Sequence, residues 1–163
     1  MAFVTDRRAA TADELRAMGH PLRMRIIRLC HDEARTNRQL AKLLGKDPAT
    51  VLHHVRLLVE QGFLQAEPVR AGTRGALEKP YRSTGLSWRL ELVAEGEPSE
   101  LAGRVELAVV DAYRAELGDA LGEIGPQAMR TQTRAPLRLN EQSQTELRER
   151  LHATLADFLD RDD

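Results

Sequence analysis

Apolar residues recur three and four positions apart along most of this chain, the spacing of helices with one buried face. A first helix is predicted from Thr11, an N-cap with Glu14 three residues on as a capping box, carrying Leu15 and Met18 inward and stopping at Gly19. Pro21 suits the first position of a second helix, in which Leu22, Ile26, Ile27, Leu29 and Cys30 form the dry side while Arg23, Arg25 and Arg28 favour a wet surface. Thr36 caps a short third helix with Leu40, Leu43 and Leu44 buried, and Gly45 closes it. Residues 1–10 read as a frayed leader.

Only Gly45 and Lys46 separate that helix from the stretch 47–62, DPATVLHHVRLLVEQG. Asp47 can accept from the first free backbone N–H groups, Pro48 has no N–H to lose at the first helical position, and Gly62 supplies the stop. At 100° per residue, Val51, Val55 and Leu58 share one stripe with Leu52 and Val59 at its edge. Ala49, Thr50, His53, Arg56 and Leu57 fall on the other side, which is short-chained, polar and basic. Residues 63–67 are strand-like, 70–75 are turn-rich and basic, and 79–84 can return as a second strand. Pro80 is tolerable in such a two-stranded ribbon when its missing N–H would have faced outward.

After an acidic link bearing Gly and Pro, a long helix is predicted from Ser99, with Leu101, Val105, Ala108, Val109, Ala112, Tyr113 and Leu117 recurring at helical spacing. Gly118, Gly122 and Gly125 weaken its end and Pro126 terminates it. Residues 129–139 alternate with period two, a strand that Pro136 marks as an edge. Asn140 or Ser143 caps a last helix with a narrow seam of Leu147, Leu151, Leu155, Phe158 and Leu159.

The segments GHPLRMRIIRLC, TNRQLAKLLGKDPATVLHHVRLLVEQGFL and GTRGALEKPYRSTG resemble the winged helix-turn-helix of ArsR-type bacterial transcription regulators, over residues 11–90. The resemblance implies a homodimer on a palindromic operator, usually a repressor, and in many members release of DNA by a metal or another effector. The expected fold class is therefore mainly α with a small β-hairpin wing. Residues 1–95 would form the DNA-binding domain, and a helix-strand-helix region over 96–163 would serve dimerisation and, on one reading, effector sensing.

Charge sharpens this picture. The net charge is -1, but residues 1–90 hold 16 Lys and Arg against 9 Asp and Glu, and residues 91–163 hold 8 against 16. A basic first half suits a polyanion, and an acidic second half would be kept away from it. Double-stranded DNA is the expected partner, with Ala49, Thr50, His53 and Arg56 as base readers and His54 at the flank as packing or a phosphate contact. Arg56 can take a guanine bidentately, and Ala49 and Thr50 can meet a thymine methyl. Arg70, Arg74, Lys79 and Arg82 would serve the wing, as phosphate contacts or with Arg74 in the minor groove. His53 and His54 titrate near neutrality, so affinity is expected to rise below about pH 6.5. Leu101, Val105, Val109, Ala112, Leu151, Leu155 and Phe158 are expected near a dimer interface or in the local core beneath it.

Other chemistry finds little footing. A single cysteine excludes an internal disulfide, and Cys30 beside His31 makes a poor start for a metal site, which wants several Cys or His ligands. Neither the Cys-x-Cys pair nor the terminal carboxylate and histidine set of metal-sensing members stands here, so no metal and no cofactor are expected. No phosphate-binding loop, G-x-S-x-G or H-E-x-x-H occurs, so no enzyme is expected either. The absence of a signal peptide or a long uncharged apolar run predicts a cytoplasmic protein with no membrane partner. A winged-helix module that docks an acidic protein, a regulator answering to a metal or a small apolar ligand, and an RNA-binding winged helix remain as rivals.

Overall fold

The computed structural model describes residues 8–71, 77–92, 100–128 and 138–159. Among the described residues six α-helices carry the fold: α1 (Ala12–Met18), α2 (Pro21–Asp32), α3 (Asn37–Leu44), α4 (Pro48–Glu60), α5 (Glu100–Ile124) and α6 (Glu141–Leu159). Seven short strands accompany them in the same residues: β1 (Arg8–Ala9), β2 (Arg35–Thr36), β3 (Leu64–Ala66), β4 (Arg70–Ala71), β5 (Leu77–Glu78), β6 (Pro80–Ser83) and β7 (Leu90–Glu91).

The helix starts follow the local chemistry of the sequence. Thr11 accepts from the Glu14 backbone N–H while the Glu14 carboxylate accepts from Thr11, and Thr36 and Gln39 repeat the reciprocal pair at α3. Gly45 at φ 59° and Gly62 at φ 77° turn the chain in the left-handed region that a side chain would strain. His20 adds a cap that periodicity did not suggest, its Nδ1 accepting from Leu22 N–H at 3.1 Å.

The end of the expected frayed leader is structured. Arg8 and Ala9 pair in parallel with Leu90 and Glu91, and the Arg8 guanidinium grips buried Glu14 through Nη1–Oε2 at 2.9 Å and Nη2–Oε1 at 2.5 Å. That pairing holds the Glu14 carboxyl far below the usual range, at about 2.

The expected two-stranded ribbon is a three-stranded antiparallel sheet at its base, in the order β2-β6-β3. β6 runs through its centre, pairing Arg35 with Tyr81 on one side and Leu64 with Ser83 on the other. Pro80 is fully buried at the first position of β6, where a proline is tolerated, and its carbonyl accepts from Glu67 N–H at 2.9 Å. Beyond the sheet the hairpin continues as β4 against β5, and its tip lies outside the described residues.

One core joins the two halves of the chain. Ile26, Cys30, Leu40, Val51, Val55, Leu58 and Phe63 are fully buried, and Val105 of α5 lies in the same cluster. α5 packs on α1 and α2 through Ala102, Val105, Ala108 and Ala112, whose small side chains permit close approach. It runs through Gly118 and Gly122 without breaking and ends at Gly125, φ 68°. Most of the strand expected over 129–139 lies outside the described residues, and Arg138 and Leu139 have no regular structure. Asn140 caps α6, accepting from Ser143 N–H at 2.8 Å.

Of the α2 arginines expected on a wet surface, Arg28 is exposed and Arg23 and Arg25 are half-buried. Arg25 pairs with Asp119 of α5 at 2.5 Å and Arg28 with Glu116 at 2.8 Å, while Arg23 donates to the Ala17 and Arg16 carbonyls. Part of the acidic half therefore docks directly on the basic half instead of standing apart from it.

Candidate nucleic-acid interface

α4 presents the face that its sequence period describes. Val51, Val55 and Leu58 are fully buried, and Ala49, Thr50, His53 and Arg56 are exposed. Fully burying each of those three side chains contributes about 1.5–3 kcal/mol, which fixes which way the helix faces. Leu57, placed on the polar side by its angle, packs partly against the core, and Val59 is exposed because the stripe narrows toward the helix end.

Two contacts hold the N-terminal turn of α4. The Asp47 carboxylate accepts from Ala49 N–H at 2.8 Å and from Thr50 N–H at 3.3 Å. Asn37, at the start of α3, donates from Nδ2 to the Pro48 carbonyl at 2.9 Å and so ties the two helices of the motif together. Sequence periodicity gave no sign of this tie, since Asn37 and Pro48 belong to different helices.

His54 does not share the exposed face. It is 8% exposed, its ring centroid lies 4.7 Å from that of His20, and its Nδ1 is buried without a hydrogen-bond partner. Burial first, and then the fields of His20, Arg23 and His53, push its pKa down to about 4. A neutral interior imidazole contacts no phosphate, so His54 is a packing residue.

The hairpin cations divide. Arg70 and Lys79 are exposed, with the Lys79 ammonium 6.0 Å from the Tyr81 ring centroid. Arg82 is committed to Glu67, Nε to Oε1 at 2.5 Å, which neutralises it within the hairpin. Arg74 lies outside the described residues. Three cations were missed: Arg38 and Lys42 of α3 and Lys46 of the turn are exposed and make no ion pair among the described residues. Their positions on the polar side of a short helix and in a tight turn were the available signal.

The expected interface residues of the second half also separate. Val105 and Ala112 are buried by packing within the chain, and Leu101 is partly buried beside the core. Val109 and Leu151 are exposed, and the side chains of Leu155 and Phe158 lie outside the described residues. On the far side of α5, Leu107, Val110, Leu121 and Ile124 are 67%, 59%, 41% and 60% exposed. Steps of three and eleven place these four on one stripe, opposite the alanines that dock.

A short helix, a glycine turn, a capped second helix and a β-hairpin thus stand in sequence. Residues 18–65 match the family model described as a helix-turn-helix domain. That match spans α2, α3, α4 and the start of the hairpin. No match emerges from comparison with curated protein sequences. Among solved structures, the chain is similar to a variant of ZitR from Lactococcus lactis, at 15% identity over 84% of this chain and 73% of that one, with a TM-score of 0.34. It is also similar to the transcriptional regulator SlyA, at 13% identity over 87% and 79%, TM-score 0.33. A third is the adhesin competence repressor AdcR from Streptococcus pyogenes, at 15% identity over 88% and 80%, TM-score 0.33.

Among the described residues no group of three or more His, Cys, Asp and Glu is placed to hold a metal ion. Cys30 is fully buried, and burial pushes its thiol up to about 12, so it is a core filler without nucleophilic character at neutral pH. No helix among the described residues is long and apolar enough to cross a membrane.

Proposed function

We propose that the chain is a sequence-selective, duplex-DNA-binding transcription regulator of the winged helix-turn-helix kind, and within that kind one of the ArsR type that residues 11–90 resemble. The observation that carries this reading is the exposed face of α4, with Ala49, Thr50, His53 and Arg56 projecting from a helix whose first turn is fixed by Asp47 and Asn37. Such a helix enters the major groove with its N-terminal residues at base edges. Arg38, Lys42, Lys46, Arg70 and Lys79 supply cations for phosphates around it.

The functional division puts DNA contact in residues 1–95 and self-association in 96–163. The protein works as a homodimer through the exposed stripe of α5, on a palindromic operator with half-sites about 34 Å apart, and acts as a repressor by occupancy. It works by binding, without chemistry, in the cytoplasm.

Gel shifts on duplexes from the protein's own promoter region test this reading. The expected result is a salt-sensitive shift that survives excess random duplex. Equal competition by any duplex or by RNA, with a stable complex to an acidic protein in pull-down, would favour a protein-docking winged helix instead.

A further inference from the structure

We infer that the groove between α2, the turn at Leu86–Trp88 and the middle of α5 is a small-molecule site for an amphipathic organic cation. The groove has a volume of about 400 Å³, within the range of sites for drug-sized ligands. Its walls are apolar, with Met24 on one side and Val109 on the other. Trp88 and Tyr113, two of the chain's six aromatic residues, line it while remaining 58% and 55% exposed. Aromatic side chains this exposed around one concavity can offer stacking and cation–π contact to a flat or bulky ligand.

The charge of the lining selects the sign of that ligand. Arg28 is shared between two carboxylates, Nε to Glu116 at 2.8 Å and Nη1 to Asp32 at 3.8 Å. One guanidinium against two carboxylates leaves a negative excess in the lining. A bound anion would meet the carboxylates of Asp32 and Glu116. A bound cation would be attracted by the excess carboxylate and by both rings. The site does not depend on the DNA reading, since none of these residues lies on α4 or the hairpin.

The test uses the full chain and two ions of one shape and opposite charge, tetraphenylphosphonium and tetraphenylborate. Trp88 is the only tryptophan, so its emission reports directly on the groove. Tetraphenylphosphonium should change that emission saturably and bind one per chain by calorimetry, with tetraphenylborate at least about tenfold weaker. Asp32→Asn should weaken the cation by roughly three- to tenfold, and Val109→Phe, which fills the groove from its exposed edge, should abolish binding. Thermal melts would confirm that both variants fold. Equal binding of the two ions, unchanged affinity in both folded variants, or no saturable binding of the cation to the wild type would overturn the assignment.

Discussion

His53 and His54 are neighbours in sequence with opposite surroundings, and the difference decides what pH can do. His54 lies buried with its ring tilted against that of His20 and stays neutral through the range in which His53 and His54 were expected to charge together. Its folded pKa of about 4 lies below the ordinary 6.5, so the folded state binds fewer protons than the unfolded one. Its contribution to stability is therefore complete above about pH 6.5 and is lost as pH falls toward 4. The melting temperature of His54→Leu, compared with wild type, should fall less steeply across that window; parallel curves would remove the account. The contribution of Glu14 is lost in the same direction but lower, between its ordinary 4.5 and about 2, so the two windows meet only near pH 4. At the exposed face, Arg56→Ala should cost about 1–3 kcal/mol on the preferred duplex and relax preference at one base pair. Arg38→Ala should instead weaken all duplexes alike and reduce the salt slope by about 1, measured by titration at several salt concentrations. Identical losses on every duplex for both would contradict the division between reader and phosphate contact. None of this partition shows in composition: His54 and Arg82 match their neighbours in type and differ only in what lies across from them.

At the scale of elements, what is local was legible and what is mutual was not. The Thr11 capping box, the Thr36 and Asp47 caps, Pro21, Pro48 and the stops at Gly45 and Gly62 are read from residues within one turn of each other, and only the Gln39 half of the second box went unread. Asp47→Ala should therefore lower stability by about 1 kcal/mol in denaturant unfolding, and by loosening the first turn of α4 it should also weaken DNA. Unchanged stability would mean that Asn37 alone holds that turn. The two-residue strands β1 and β2 carry no period to detect, and their partners lie far along the chain. β2 turned the expected ribbon into a sheet with Pro80 inside it. α5 shows a different limit: both of its faces are apolar, and periodicity cannot say which one docks. The smaller residues do, because α1 and α2 approach closely, and the larger ones are left outside.

For the whole molecule, the charge split is partly an internal match, since Arg25 and Arg28 are held by Asp119 and Glu116. The exposed cations of α3, α4 and the hairpin remain for a polyanion, and the outer α5 stripe of Leu107, Val110, Leu121 and Ile124 is the surface proposed for a second copy. Val110→Glu with Leu121→Glu should give a monomer by sedimentation that melts near the wild-type monomer unit, whereas Val105→Ala, inside the core, should cost roughly 2 kcal/mol and leave assembly intact. A dimer that survives the paired glutamates would place the interface elsewhere. The central claim, that α4 reads duplex DNA for a two-fold protein, is met most directly by selecting bound sequences from a random duplex library with the full chain. The account predicts an enriched palindrome whose half-site centres lie about one helical turn or a multiple of it apart, with the preference altered by Arg56→Ala. Recovery of unrelated sequences, or of a motif that Arg56→Ala leaves unchanged together with Ala49, Thr50 and His53 variants, would contradict it.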